Sequence, residues 1–333
     1  MIEERKAIIS AFPRGSYIAT SGLVSVDLST GRVIWRYIFR QDDYFCSPGT
    51  GLPSIVRHAR GIACDDGLVY VALFNSVVAM SGDLGSGDFR VVRRYTHPLA
   101  VDLHGIDIDD GRLAAVSTGT DTVLIWDIAV PTVCEVITVN DLDFDINADY
   151  RFPDQRPSSQ IDISTTWRAA APGTLHLNDV EFIDGGLIIC SLTTIRTIAF
   201  DSLKVETLLR DNSAIFHDGK LRDNMLYITD ASRGDVLRLN LDNMTEERGR
   251  VASPAEWFVR GLDIIEDRVY VLRSRLVPNR QLRVDHVDGS SRLEESALLG
   301  VSTLDIASLR LNDVTDFWVD GFPAGSVAYA IHC

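Results

Sequence analysis

Five polar residues recur along the chain at one position of a repeated pattern, each followed directly by Gly or Asp. They are Arg60, His104, Asn178, His217 and Arg260. Each stands seven residues before a turn position, and these turns fall at residues 67, 111, 185, 224 and 267. We call these five the start residues. Imidazole transfers protons near neutral pH and binds transition metals, and guanidinium clamps carboxylates or phosphates. The set therefore predicts a site for a polar or anionic small molecule.

Three chemistries are compatible with these side chains. In the first, one divalent metal ion is held by His104, His176, Asn178 and His217. In the second, a histidine acts as general base while arginines hold an anion, which makes His104, His217, Arg60 and Arg260 the catalytic candidates. In the third, the same side chains bind an anionic ligand without turnover. The residue types alone leave all three open.

The elements that carry the start residues are short strands that end in tight turns. In the stretch DLHGIDIDDG, Ile106 and Ile108 alternate with polar residues, which predicts a half-buried strand. Asp110-Gly111 predicts a two-residue hairpin turn, because both residues tolerate positive φ. Successive turns are 44, 74, 39 and 43 residues apart. A period of about 40 residues, with one insertion, is typical of a β-propeller.

The repeat predicts an all-β, six-bladed propeller that forms a single domain over residues 1–333. The predicted blades are 17–38 completed by a C-terminal strand at 314–319, then 56–97, 102–140, 176–210, 215–251 and 258–310. Closing one blade with both chain ends leaves no free sheet edge. Three lid-like insertions are expected at 40–57, 141–174 and 275–298, on the side of the channel mouth.

The segments HLNDVEFIDGG, IFHDGKLRDNMLYITDASRGDV and FVRGLDIIEDRVYVLRSR carry a resemblance to a known class. Over residues 56–275 the chain resembles six-bladed propellers of the gluconolactonase, strictosidine synthase and paraoxonase group. It is most similar to an uncharacterised set whose strands start with HLN, HDG and RGL. The resemblance implies a calcium site of acidic and amide ligands, of which Asn178 matches one in kind. The histidine content instead favours a transition metal.

Charge and composition exclude several classes of function. The formal charge of −15 and pI near 4.8 argue against nucleic acid and against anionic membranes as partners. Five scattered cysteines and no recognisable signal peptide predict a cytoplasmic protein. No nucleotide-binding motif is present, so no nucleotide cofactor is expected.

The sequence therefore predicts a small-molecule enzyme that works at the mouth of the propeller channel. A metal-assisted lyase, hydrolase, isomerase or cyclase acting on an anionic or polar metabolite fits these residues. The alternative is a non-catalytic propeller that binds a ligand or a protein. The sequence leaves the oligomeric state open.

Overall fold

The computed structural model describes residues 6–13, 21–39, 58–131, 133–139, 175–275, 296–320 and 326–332. Two of the predicted lids, 40–57 and 141–174, lie outside these residues, as does 276–295 of the third. The chain forms two compact units. Unit 1 comprises Met1–Phe39, Asp83–Asp88 and Ala214–Cys333, and unit 2 comprises Arg40–Gly82 and Phe89–Ser213.

All extended regular structure in the described residues is β. The first strands of unit 1 are β1 (Lys6–Pro13), β2 (Ser21–Asp27) and β3 (Arg32–Phe39). There follow β4 (Ile62–Asp65), β5 (Leu68–Ala72), β6 (Val77–Asp83), β7 (Asp88–Tyr95), β8 (Leu103–Asp109), β9 (Arg112–Ser117), β10 (Thr122–Asp127), β11 (Val133–Thr138), β12 (Leu177–Ile183), β13 (Gly186–Ser191), β14 (Thr194–Ala199) and β15 (Val205–Arg210). The chain ends with β16 (Phe216–Arg222), β17 (Met225–Asp230), β18 (Asp235–Asn240), β19 (Glu246–Arg250), β20 (Trp257–Ile265), β21 (Arg268–Arg275), β22 (Ser296–Asp305), β23 (Leu311–Asp320) and β24 (Ser326–His332).

These strands form six four-stranded antiparallel sheets, and the fold is a six-bladed β-propeller. In five sheets the strands are consecutive in the chain: β4–β7, β8–β11, β12–β15, β16–β19 and β20–β23. The sixth has the order β24-β1-β2-β3 and so joins the two ends of the chain. The predicted fold class is therefore confirmed. No helix in the described part of the chain is long and apolar enough to cross a membrane.

The strand that closes the terminal sheet differs from the predicted one. Residues 314–319 belong to β23, which pairs with β22 from Leu304↔Leu311 to Ser296↔Asp320. The closing strand is β24, which pairs with β1. Only five residues separate β22 from β23, so this local hairpin closes a far shorter loop than pairing with the N-terminus would. The sequence prediction of closure by the C-terminus was right in kind and wrong in segment.

The predicted turns are real, and they set the register of the first two strands in each repeat. Asp66-Gly67, Asp110-Gly111 and Asp223-Asn224 all have positive φ at both residues, the geometry of a type I′ hairpin. Each hairpin places the strand before it antiparallel to the next strand in the sheet order. The turns are therefore architecture, and the start residues lie toward the other end of the first strand.

Each unit has its own apolar core between its sheets. In unit 2, Trp126 packs with Tyr95 and Leu124 on one side of β8–β11. On the other side of that sheet, Val116 and Ile125 pack with residues of β12–β15. Unit 1 is built in the same way, around Leu272 and Phe317 in one cluster and Val236 and Val271 in another. These rigid layers hold the strand starts in place.

Candidate functional site

A β-bulge marks the start residue in four of the first strands. The register shifts between Leu103 and Ile106, between Leu177 and Asp179, between Phe216 and Gly219, and between Arg260 and Leu262. A bulge bends the strand and redirects a side chain, and bulges are common beside functional sites. These four start residues are thus placed inside their strands, where the strand departs from regular pairing, whereas Arg60 lies just before β4.

In unit 2, the side chains before β4 and at the start of β8 meet around the carboxylate of Asp102. Arg60 Nη2 lies 3.0 Å from Asp102 Oδ1, and His58 Nδ1 lies 3.6 Å from the same oxygen. His104 Nε2 lies 3.5 Å from Asp102 Oδ2. Arg60 Nη2 and His58 Nδ1 are themselves 3.4 Å apart. One buried acid therefore gathers a guanidinium and two imidazoles.

The cluster continues from His104 to the start of β12. His104 Nδ1 lies 3.1 Å from Asn178 Oδ1, so the two nitrogens of this ring face two different oxygen atoms. The His176 ring stands nearly perpendicular to that of His104, with ring centroids 5.3 Å apart. We call these six residues the unit 2 cluster: His58, Arg60, Asp102, His104, His176 and Asn178.

The electrostatics of the unit 2 cluster are governed by Asp102. Burial raises the pKa of this carboxyl, but the charge of Arg60 and the hydrogen bond and charge of His58 outweigh that effect. His176 acts in the same direction, and the net result is a pKa below the ordinary value. Asp102 is therefore ionised at neutral pH.

Three residues of the unit 2 cluster have an unusual backbone conformation. His58, Asp102 and His176 have φ values of 58°, 57° and 53°. Each stands two residues before a start residue, so the same left-handed turn is repeated in three sheets. A non-glycine residue there costs about 1 kcal/mol, and such strain is concentrated at functional sites.

The glycines that follow Arg60 and His104 are required by close approach between neighbouring first strands. A Cβ at Gly61 would lie 2.5 Å from the carbonyl oxygen of His104. A Cβ at Gly105 would lie 2.7 Å from the Cα of Asp179 and would overlap its carboxylate. Any larger side chain would push apart the strands that carry the cluster.

Unit 1 holds the two remaining start residues, and its arrangement is different. His217 Nδ1 lies 3.3 Å from Asp218 Oδ2, which also accepts a hydrogen bond from Gly261 N at 2.8 Å. The guanidinium of Arg260 lies over the ring of Phe258, 4.2 Å from its centroid. The same ring packs edge-on against His217. Unit 1 therefore forms a His–Asp pair next to an arginine stacked on an aromatic ring.

The proposed metal ligands require a separate test of fit. In the described ranges, no group of three or more His, Cys, Asp or Glu side chains has the spacing of a metal site. Both nitrogens of His104 face oxygen atoms, from Asp102 and Asn178. A metal ion bound to His104 would have to replace one of these contacts.

Sequence reasoning missed His58 and Asp102. The spacing from the turns identifies only the start residues. The tripeptides HAR, DLH and HLN each end in a start residue. Each also carries a second polar residue two positions before it, at 58, 102 and 176. In unit 1 these positions are Ile215 and Phe258. The recurrence of a polar residue at this position in three repeats was the available signal.

Comparison with known proteins supports the fold alone. No protein-family model matches the chain, and no curated protein matches its sequence. A protein of unknown function from Bacteroides caccae aligns with a TM-score of 0.55 at 10% identity, covering 98% of this chain and 97% of its own. A nidogen/laminin complex aligns with a TM-score of 0.55 at 12% identity, with the same coverage.

A third solved structure has a name that suggests an activity. It is a putative 6-phosphogluconolactonase from Bacteroides uniformis, with a TM-score of 0.54, 10% identity and 99% of both chains covered. At such low identity, these structures show the propeller architecture and leave the activity to be argued from the site.

Proposed function

We propose that the protein is a small-molecule enzyme in which the unit 2 cluster performs acid–base chemistry on a polar, anionic metabolite. The observation that carries this proposal is the buried carboxylate of Asp102 in contact with Arg60, His58 and His104. A buried acid that orients an imidazole and stabilises its protonated form is the arrangement that makes histidine a general base.

Within the cluster, exposure separates the roles of the two histidines that contact Asp102. The His58 side chain is 16% exposed, whereas that of His104 is 3% exposed. A histidine that turns Nδ1 toward a carboxylate uses Nε2 as the base. His58 therefore takes a proton from water or a substrate hydroxyl and later returns it to the leaving group. His104 positions Asp102 by contacting its other carboxylate oxygen, Oδ2.

The charge of the cluster supports an anionic substrate. Arg60 and three imidazoles surround one carboxylate, so protonation of any histidine makes the cluster net positive. Hydrolysis is the reaction class to test first, because a structure with this fold is named a putative 6-phosphogluconolactonase. Lactones of sugar acids, with and without phosphate, are accordingly the first substrates to assay.

The test is proton release from a panel of sugar-acid lactones and phosphate esters at constant pH. We expect His58→Gln to lower kcat/KM by about 10²–10⁴-fold, the usual contribution of a general base. His104→Gln should also lower kcat/KM, because His104 supports Asp102. His332→Gln in unit 1 is the matched control and should leave turnover unchanged. Wild-type turnover that persists in both His58→Gln and His104→Gln would refute the proposed roles.

Two alternatives give distinct results in the same experiments. A binding protein would retain the anionic ligand without forming product, and Arg60→Ala and Arg260→Ala would weaken that binding. A metal-assisted enzyme would contain a divalent ion after purification without an affinity tag. It would lose that ion in His104→Ala, with His176, Asn178 and His217 as the further proposed ligands.

A further inference from the structure

We infer that residues 117–122, the turn from β9 to β10, are the positioning element of the unit 2 cluster, with Asp121 as its central residue. This turn has the sequence Ser-Thr-Gly-Thr-Asp-Thr, and all five of its polar side chains are buried. Buried hydroxyls and carboxylates must find hydrogen-bonding partners. Four of the five have partners on the two segments that lead into β8 and β12, and Thr122 Oγ1 lies 2.8 Å from Thr120 Oγ1 within the turn.

The first half of the turn holds the segment that leads to Asp102. Ser117 Oγ accepts a hydrogen bond from Val101 N at 2.9 Å and lies 2.6 Å from the carbonyl oxygen of Leu99, to which it donates. Thr118 N donates to the carbonyl oxygen of Asp102 at 3.3 Å. These bonds fix the backbone on both sides of the left-handed residue Asp102.

The second half of the turn holds the segment that leads to His176. The two carboxylate oxygens of Asp121 accept hydrogen bonds from Leu175 N at 3.2 Å and from His176 N at 3.1 Å. Thr118 Oγ1 donates to the carbonyl oxygen of Leu177. Hydrogen bonds to the backbone before and after His176 thus hold this residue in its left-handed conformation. Its ring lies edge-on to that of His104.

Gly119 allows the turn to approach the first segment this closely. Its N–H donates to the carbonyl oxygen of Val101 at 2.9 Å. A Cβ at this position would lie 2.6 Å from Val101 Cγ1 and 2.9 Å from the Val101 oxygen. The turn is therefore built to lie against the start of β8 while its acid reaches the start of β12.

One turn consequently fixes two members of the unit 2 cluster that come from different sheets. Strained backbone persists only where the surroundings over-determine it, and the hydrogen bonds of this turn supply that support. Asp121 is a positioning residue, because it contacts the backbone of His176 and acts through that imidazole. The inference rests on the proposed function for its catalytic meaning, but the positioning itself is measurable without a substrate.

The test uses the full chain labelled with ¹³C at histidine, and measures the nuclear Overhauser effect between the His104 and His176 rings. Asp121→Asn keeps one oxygen that can accept a hydrogen bond. The other oxygen becomes an amide NH₂, which cannot accept a hydrogen bond from a backbone N–H. We expect loss of the His104–His176 effect, with the His58 resonances unchanged. Ser117→Ala should give the opposite pattern, moving the His58 resonances because Asp102 shifts.

Asp305→Asn is the control for a turn aspartate in unit 1, where Asp305 Oδ1 accepts from Ser308 N at 2.8 Å. This variant should leave every histidine resonance of unit 2 in place. If Asp121→Asn does not fold, Thr118→Val removes the bond to Leu177 and should weaken the same inter-ring effect. An unchanged inter-ring effect in the folded variant overturns the inference.

Turnover separates this inference from the proposed function. In Asp121→Asn we expect kcat/KM to fall, because the variant displaces the His176 ring from its position beside His104. If wild-type protein turns over none of the panel while the inter-ring effect is lost as expected, the proposed function fails and the positioning role stands. If wild-type protein is active and the effect persists in the variant, the positioning role fails alone.

Discussion

Units 1 and 2 use the same strand start for different arrangements of charge. Both place a bulge at the start residue and both put a histidine there, His104 in unit 2 and His217 in unit 1. In unit 2 the acid stands two residues before the histidine, and it collects side chains from two sheets. In unit 1 the acid is Asp218, directly after the histidine, and it bonds the backbone of Gly261.

The residue two positions before the start residue decides which arrangement forms. In unit 2 it is polar and left-handed in all three sheets, at His58, Asp102 and His176. In unit 1 it is apolar at Ile215 and Phe258, and neither of these has positive φ. The Phe258 ring then supports Arg260 by stacking, where a carboxylate supports Arg60. The same strand-and-turn repeat therefore yields an ionic cluster in one unit and an aromatic platform in the other.

The largest expected difference between the units concerns their two acids. Asp102→Asn leaves Arg60 buried without its carboxylate, which should lower the free energy of unfolding by about 3–5 kcal/mol. Asp218→Asn retains an oxygen that accepts from Gly261 N, so a loss of about 1 kcal/mol is expected. Urea denaturation of both variants at pH 7 measures the two values. Equal losses would mean that the unit 2 cluster is no more ionic than its counterpart.

A smaller difference is expected between two glycines that follow start residues. Gly105→Ala brings a methyl group against the backbone and carboxylate of Asp179, which cannot move aside without shifting β12. A loss near the upper end of the 1–3 kcal/mol typical of overpacking, about 3 kcal/mol, follows. Gly261 has φ of 60°, so Gly261→Ala should cost about 1 kcal/mol through backbone strain.

Thermal unfolding and urea denaturation of the two alanine variants decide this comparison. A Gly261→Ala variant less stable than Gly105→Ala would show that conformation, and not close approach, dominates at these positions.

The third prediction concerns pH and sharpens the role of Asp102. Its pKa is lower in the folded protein than in the unfolded chain, so its contribution to stability is full above about pH 4. That contribution is lost as the pH falls through the folded-state pKa. The stability difference between wild type and Asp102→Asn should therefore be present at about pH 5 and should narrow as the pH falls below about pH 4.

Denaturation midpoints of both proteins between pH 2 and pH 7 measure this difference. A difference that stays constant down to pH 2 would show that the charge of Asp102 does not stabilise the fold.

The repeat and its turns could be predicted because they depend on local chemistry. Asp110-Gly111 specifies a hairpin wherever apolar residues alternate on both sides, and the fold follows from the spacing of such hairpins. The closing strand could not be predicted in this way. The segments of β23 and β24 are both apolar enough to pair, and the choice depends on loop length and on neighbours distant in sequence.

The start residues were found from the sequence, but their partners were not. The sequence shows that His104 and Asn178 occupy the same position of the repeat, and the distance between their side chains follows from packing of adjacent sheets. Nothing in the local sequence of 117–122 marks Asp121 as the residue that accepts a hydrogen bond from His176 N, 55 positions further on. Such contacts arise from tertiary packing.

The sequence by itself determined that this protein is a six-bladed propeller with polar residues at its strand starts, because hairpin turns and strand alternation are properties of short segments. Only the tertiary structure decided that Asp102 joins Arg60, His58 and His104, while His217 is left with Asp218 beside an aromatic ring. The reason is physical. Burial and bulges determine which side chains meet, and both depend on how one sheet packs against the next.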